Sequence, residues 1–93
     1  MNKLKVEETK LEGGIVFLEN KFIENETSQR INWLIKNHLK KMAADKTGWF
    51  VLYKDPNDNR YWELSYLQSE SHGGGSPVLK IITESEAKVK YKF

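Results

Sequence analysis

Five turn-forming residues, Asp55-Pro56-Asn57-Asp58-Asn59, stand between two runs rich in β-branched and aromatic side chains, Trp49 to Tyr53 and Arg60 to Leu67. Pro56 has the fixed φ of the first central position of a type I turn, and Asn59 tolerates the left-handed backbone that a five-residue hairpin loop often needs. The chain is thereby committed at its centre to an antiparallel hairpin, and the rest must supply layers that cover it. In the register that sets Lys54 opposite Arg60, Leu52 meets Trp62 and Phe50 meets Leu64 on one face. Trp49, Val51, Tyr53, Tyr61, Glu63 and Ser65 then share the other face, three aromatics around a single carboxylate. A half-buried sheet would carry polar residues there, so the expectation is an N-terminal segment folded over it, with an exposed docking face as the alternative. A slip of one residue would exchange the two faces.

Upstream, Asn25 or Thr27 suits a helix N-cap, and Ile31, Leu34, Ile35, Leu39 and Met42 follow at helical spacing. At about 100° per residue these five side chains fall within roughly a 140° arc. Trp33 lies near the opposite pole with Arg30, Asn37 and Lys40, which gives the helix a core face and a tryptophan-bearing basic face. Gly48 closes this helical region. Ile15 to Leu18 and Phe22-Ile23 read as a loose hairpin or edge strand, and Val78 to Ile82 as a third strand of the meander. Thr83-Glu84-Ser85-Glu86 has the form of a capping box and opens a short helix to about Tyr91. The expected architecture is an α+β single domain over residues 1–93, with a long helix and a short terminal helix packed on a three- to five-stranded antiparallel sheet.

Composition narrows the function classes. The 93 residues include no cysteine, which removes disulfide frameworks, thiol catalysis and cysteine zinc sites, and fits a reducing, cytoplasmic setting. Fifteen basic residues against thirteen acidic ones leave a net charge of +2, without the clustered cations that phosphate binding needs. No apolar run follows the basic N-terminus, so neither a signal peptide nor a membrane span is expected.

Catalytic chemistry finds few candidates. Ser71-His72 beside Gly73-Gly74-Gly75 lacks the Lys-Ser or Lys-Thr ending of a phosphate loop and the strand-to-helix context of a dinucleotide site, so a connector is the simpler reading. His38 sits on the apolar arc of the helix, where a hydrogen-bonded core-edge histidine is expected. Two separated histidines with no calcium-type acidic loop leave no metal ligand set, and no cofactor is expected. Asp55 and Asp58 are explained by turn capping. Glu63, mid-strand among aromatics, calls for a cation, with Arg60, Lys80 and Lys54 as the internal candidates.

The segment from Asp55 to Pro77, DPNDNRYWELSYLQSESHGGGSP, resembles the signature of the immunity protein 27 family of bacterial polymorphic toxin systems. Asp55-Pro56, Asp58, Arg60-Tyr61-Trp62-Glu63, Tyr66, Ser69-Glu70, His72-Gly73-Gly74-Gly75 and Pro77 match its pattern. Arg30 to Ile35, Gly48-Trp49 and Glu84 to Ala87 are also similar, so the likeness extends over most of the chain. Asn59 stands where the family prefers Gly, Leu67 where it tends to Pro, and Ser76 at the first of a usual Pro pair. These departures bear on loop geometry and on partner identity.

The resemblance implies a non-enzymatic antidote that binds the toxic C-terminal domain encoded by a neighbouring gene, often a nuclease, and occludes its active site or a required surface. Tight neutralisation rests on a few buried aromatic or charged anchors with steering by charge. Tyr61, Glu63, Glu70 and His72 are the expected partner-binding residues, with Trp33 as an outlier. Two other classes compete. A small RNA-binding module would stack bases on the aromatic sheet face, although the acids spread among the bases weigh against it. A hydrolase using Glu63 or Asp58 with His72 would need those groups to converge.

Overall fold

The computed structural model describes residues 3–66 and 76–92. Among these described residues, seven strands and two helices follow in the order β1 (Lys10–Glu12), β2 (Ile15–Leu18), β3 (Lys21–Glu24), α1 (Glu26–Asn37), β4 (Lys40–Ala44), β5 (Val51–Lys54), β6 (Tyr61–Tyr66), β7 (Pro77–Ile82) and α2 (Glu84–Tyr91). Five strands form one antiparallel sheet in the order β1-β7-β6-β5-β4, and β2 and β3 form a separate two-stranded hairpin. The α+β expectation, two helices on an antiparallel sheet, is met.

The central hairpin forms where the turn residues place it, one residue away from the expected register. Asp55 N–H donates to the Arg60 carbonyl at 2.9 Å, and Asn59 takes φ 63°. With Asp55 and Arg60 closing the loop, Lys54 pairs with Tyr61, Tyr53 with Trp62, Leu52 with Glu63 and Val51 with Leu64. Trp62 and Leu64 therefore join Val51 and Tyr53 on one face, while Tyr61 and Glu63 move to the face of Leu52. The expected aromatic face is divided between the two sides of the sheet, and Trp62 is fully buried.

Both sides are covered. Ile31 and Leu34 of α1 pack with Leu4, Leu11, Tyr53, Trp62, Leu64 and Leu79 on the first side. Ala87 and Tyr91 of α2 pack on Leu52 on the second, with Met42, Phe50, Tyr61 and Ile82 around them. Apolar positions on both faces of β5, β6 and β7 require this three-layer arrangement, because a strand buried on both sides needs cover from both. Leu4 of the N-terminal segment shares the side of α1, and the Tyr61 and Glu63 side is covered by α2.

The first helix is shorter than the apolar spacing suggests. Asn25 caps it, accepting a hydrogen bond from Ser28 N–H, but it stops at Asn37 rather than reaching Met42. Leu39 N–H still reaches the Leu34 carbonyl at 2.7 Å, and the chain then extends into β4 beside β5, with a register shift between Lys41 and Ala43. Leu39 and Met42 fit the helical period only by coincidence. Leu39 belongs to the α1 side of the core, whereas Met42 packs with the α2 cluster, as alternation along a strand allows.

The early hairpin is present, its turn made by Glu19 and Asn20 at φ 51° and 63°, a primed turn that suits the strand twist. Asn25 N–H donates to the Gly14 carbonyl at 2.9 Å and fastens its base to the helix start. Before β1, residues 3–9 are held by two arginines distant in sequence. Arg30 pairs with both Glu8 carboxylate oxygens at 2.7 Å and donates to the Lys3 carbonyl, while Arg60 donates to the carbonyls of Lys5, Val6 and Glu8. The second helix begins with the expected capping box between Thr83 and Glu86.

Candidate partner interface

The β4–β5 connection is a turn built around one carboxylate. Asp45 Oδ1 accepts from Gly48 N–H at 2.9 Å, from Phe50 N–H at 3.3 Å and from the Thr47 hydroxyl at 2.9 Å. Thr47 Oγ1 in turn accepts from Trp49 N–H at 3.1 Å, and Gly48 takes the left-handed φ of 78°. Desolvation pushes the Asp45 pKa up, but the Thr47 hydroxyl and the Phe50 and Gly48 amides, with Lys90 nearby, hold it below the ordinary aspartate value. The turn is thus locked by its own side chains, and it presents Trp49 with 58% of its surface exposed.

The end of α2 lies against this turn. Lys90 Nζ is 2.8 Å from Glu63 Oε2 and 3.7 Å from the centre of the Phe50 ring. The Tyr91 hydroxyl donates to the same Glu63 oxygen at 2.8 Å, and Lys80, the cross-strand neighbour of Glu63, stands 3.9 Å from the other. Burial and the adjacent Glu63 carboxylate raise the Tyr91 pKa, so the phenol remains a donor. Between turn and helix is an open cavity of about 390 Å³ walled by Ala44, Asp45, Lys46, Lys90, Tyr91 and Lys92.

Other exposed groups meet at the same end of the sheet. Val51 pairs with Leu64, and Tyr66, at the end of β6 two residues beyond that pair, is 40% exposed. At the start of β7, Gly13 N–H donates to the Pro77 carbonyl at 2.8 Å, which forms a corner between β1 and β7. The β2–β3 hairpin rises from that corner and exposes Ile23.

Of the expected anchor residues, Tyr61 and Glu63 lie on the α2 side of the sheet and Trp33 on the α1 side. Glu63 is 3% exposed and engaged by Tyr91, Lys90 and Lys80. Tyr61 is half-buried in the α2 cluster with the Lys54 ammonium over its ring, and Trp33 packs against the α1 side of the core rather than standing at an exposed pole. Glu70 and His72 lie outside the described residues, as do Ser71 and Gly73 to Gly75. His38 is a core-edge histidine, Nε2 2.9 Å from Asp55 Oδ1. Trp49 is not among the anchors the sequence suggests, although Asp45, Thr47 and Gly48 ahead of it are the turn chemistry that sets it outside the strand.

Among the described residues, no three histidine, aspartate or glutamate side chains are grouped to hold a metal ion, and no helix is long and apolar enough to cross a membrane. The model of the family described as immunity protein 27 matches residues 17–83, from β2 to the cap of α2. The chain belongs to the immunity protein 27 family. Members are non-catalytic immunity proteins, so this family member is an antitoxin acting on a cognate toxin and not an enzyme. Comparison with curated proteins and with solved structures returned no match. The family match takes in the Trp49 turn, the central hairpin and the Glu70-to-His72 segment, and stops before the Lys88 to Lys92 end of α2.

Proposed function

We propose that this immunity protein acts in the cytoplasm, binds the C-terminal toxin domain encoded by its neighbouring gene, and neutralises it by covering the active site or a surface the toxin requires. A nuclease is the toxin class to test first. The family match carries the reading. It is supported by an interaction-type end of the sheet where Trp49 and Tyr66 are exposed on rigid elements. Aromatic anchors of this kind dominate binding energy when a partner buries them. Glu70 and His72 remain proposed contacts. Tyr61, Glu63 and Trp33 contribute by shaping the surface, Glu63 by positioning Lys90 and Tyr91.

Co-expression tests the proposal. Cells producing the neighbouring toxin domain are expected to survive when this protein is present, and the two chains to co-purify through size exclusion. Loss of viability together with separate elution would refute it.

A further inference from the structure

Lys46 follows Asp45 in the β4–β5 turn, and Lys90 in the last turn of α2 and Lys92 at its C-cap stand opposite. The fold sets Ala44 to Lys46 against Lys90 to Lys92 across the open cavity of about 390 Å³. Its charges are not equally occupied. The Asp45 carboxylate is taken up by its own turn, and Lys90 is shared between Glu63 and the Phe50 ring. Lys46 and Lys92 have no partner among the described residues. The corner therefore presents a net cationic hollow, and the turn that supplies Asp45 and Lys46 to its wall also carries the exposed Trp49 indole.

We propose that this corner seats an acidic segment of the toxin, with Asp or Glu carboxylates at Lys46 and Lys92 and an apolar side chain packed on Trp49. The inference rests on the antitoxin reading and names the chemistry of its partner. Charge complementarity selects the occupant: a second copy would bring the same lysines face to face, a like-charge contact that disfavours association. Single-stranded RNA would need a platform of stacked aromatics, and Trp62 and Tyr53 are buried beneath α1. A cationic corner also implies that the toxin is gripped on an acidic surface, not by imitation of a nucleic-acid phosphate chain in a basic groove.

The test uses the intact protein and the neighbouring toxin domain made catalytically inert. Affinity is measured at low and high salt for the unaltered protein, Trp49→Ala, the double variant Lys46→Glu/Lys92→Glu, and Val6→Asp at the opposite end, where Val6 is 84% exposed. Unchanged thermal melts establish that each variant is folded. The expected result is a loss of about thirtyfold or more for Trp49→Ala. The lysine double variant should lose about tenfold or more at low salt with a flattened salt dependence, and Val6→Asp should match the unaltered protein. Equal affinity and equal salt slope across all four proteins overturn the inference and leave the antitoxin reading standing. No binding by the unaltered protein overturns both. Self-association broken by Trp49→Ala assigns the corner to a second copy, and low-salt binding of oligouridine lost in that variant assigns it to RNA; either result overturns the inference.

Discussion

The Tyr91 phenol donates a 2.8 Å hydrogen bond to Glu63 Oε2, joining the last turn of α2 to the middle of β6. Lys90 reaches the same oxygen at 2.8 Å, so one nearly buried carboxylate fastens a helix whose buried residues are only Ala87 and Tyr91. An eight-residue helix has little stability of its own, and tertiary contacts of this kind must hold it in place. Glu63 thereby determines where Lys90 and Lys92 stand beside the Trp49 turn.

Tyr91→Phe removes the hydroxyl and keeps the ring. The expected loss is about 1.5–3 kcal/mol, the range for a hydrogen bond to a charged acceptor, read by urea denaturation. Amides from Ala87 to Lys92 should also exchange faster than those of β6, because the helix loses its fastening while the sheet does not. An exchange increase spread evenly over both elements would contradict this account.

The Glu8–Arg30 pair sets a dependence on acid. The two hydrogen bonds from Arg30, against opposing desolvation, lower the Glu8 pKa from 4.5 to about 2. A carboxyl whose folded pKa lies below its unfolded value stabilises the fold above the unfolded value, and that contribution is lost as pH falls through the folded one. Stability from this pair is complete above about pH 5 and disappears between about pH 4.5 and pH 2. Arg30→Gln should cost on the order of 1–2 kcal/mol at pH 7 after allowance for solvent screening, and the difference should shrink toward pH 2. Parallel denaturation series at several pH values measure both.

Local chemistry was legible in the sequence; the interactions that join distant residues were not. Asn25, Asn59, and the Thr83 and Glu86 pair each act through hydrogen bonds or backbone angles within a few residues, and each is found in its expected role. The end of α1 is hidden in the sequence because Leu39 and Met42 are apolar for reasons that belong to opposite sides of the sheet. The hairpin register depended on whether Lys54 or Asp55 closes the turn, a one-residue choice that turn propensity alone does not make. Nothing local distinguishes Arg30 and Arg60 from solvated cations, yet both hold residues 3–9 across long sequence separations. Lys80 was a foreseeable partner for Glu63, whereas Tyr91 and Lys90 depend on α2 folding back over the sheet.

Gly13 occupies a corner without room for a side chain. A Cβ there would collide with Ser28 Oγ and lie 2.8 Å from the Pro77 carbonyl oxygen. Ser28 cannot yield easily, since it is fully buried and its hydroxyl both donates to the Gly14 carbonyl and accepts from Gly14 N–H. Gly13→Ala should therefore cost about 1–3 kcal/mol, as overpacking does. Gly48→Ala provides the comparison, with open space around the position but φ at 78°, so only backbone strain of about 1–2 kcal/mol is expected. Crystal structures of the two variants should show displaced Ser28 and Pro77 in the first and an unshifted surrounding in the second.

His38 and Asp55 couple the end of α1 to the start of the central turn. Nε2 and Oδ1 are 2.9 Å apart, and the Asp55 carboxylate also accepts from Asn57 N–H at 2.8 Å, so one buried group orders both the helix stop and the hairpin loop. Asp55→Ala removes the acceptor from His38 and from the loop amide together, and about 2–4 kcal/mol should be lost. His38→Ala should cost less, because Asn57 still satisfies the same carboxylate oxygen. The double variant should fall short of the sum by about 1 kcal/mol or more, the signature of residues in direct contact. Additive losses in urea denaturation at pH 7 would mean that the helix stop and the loop are ordered independently.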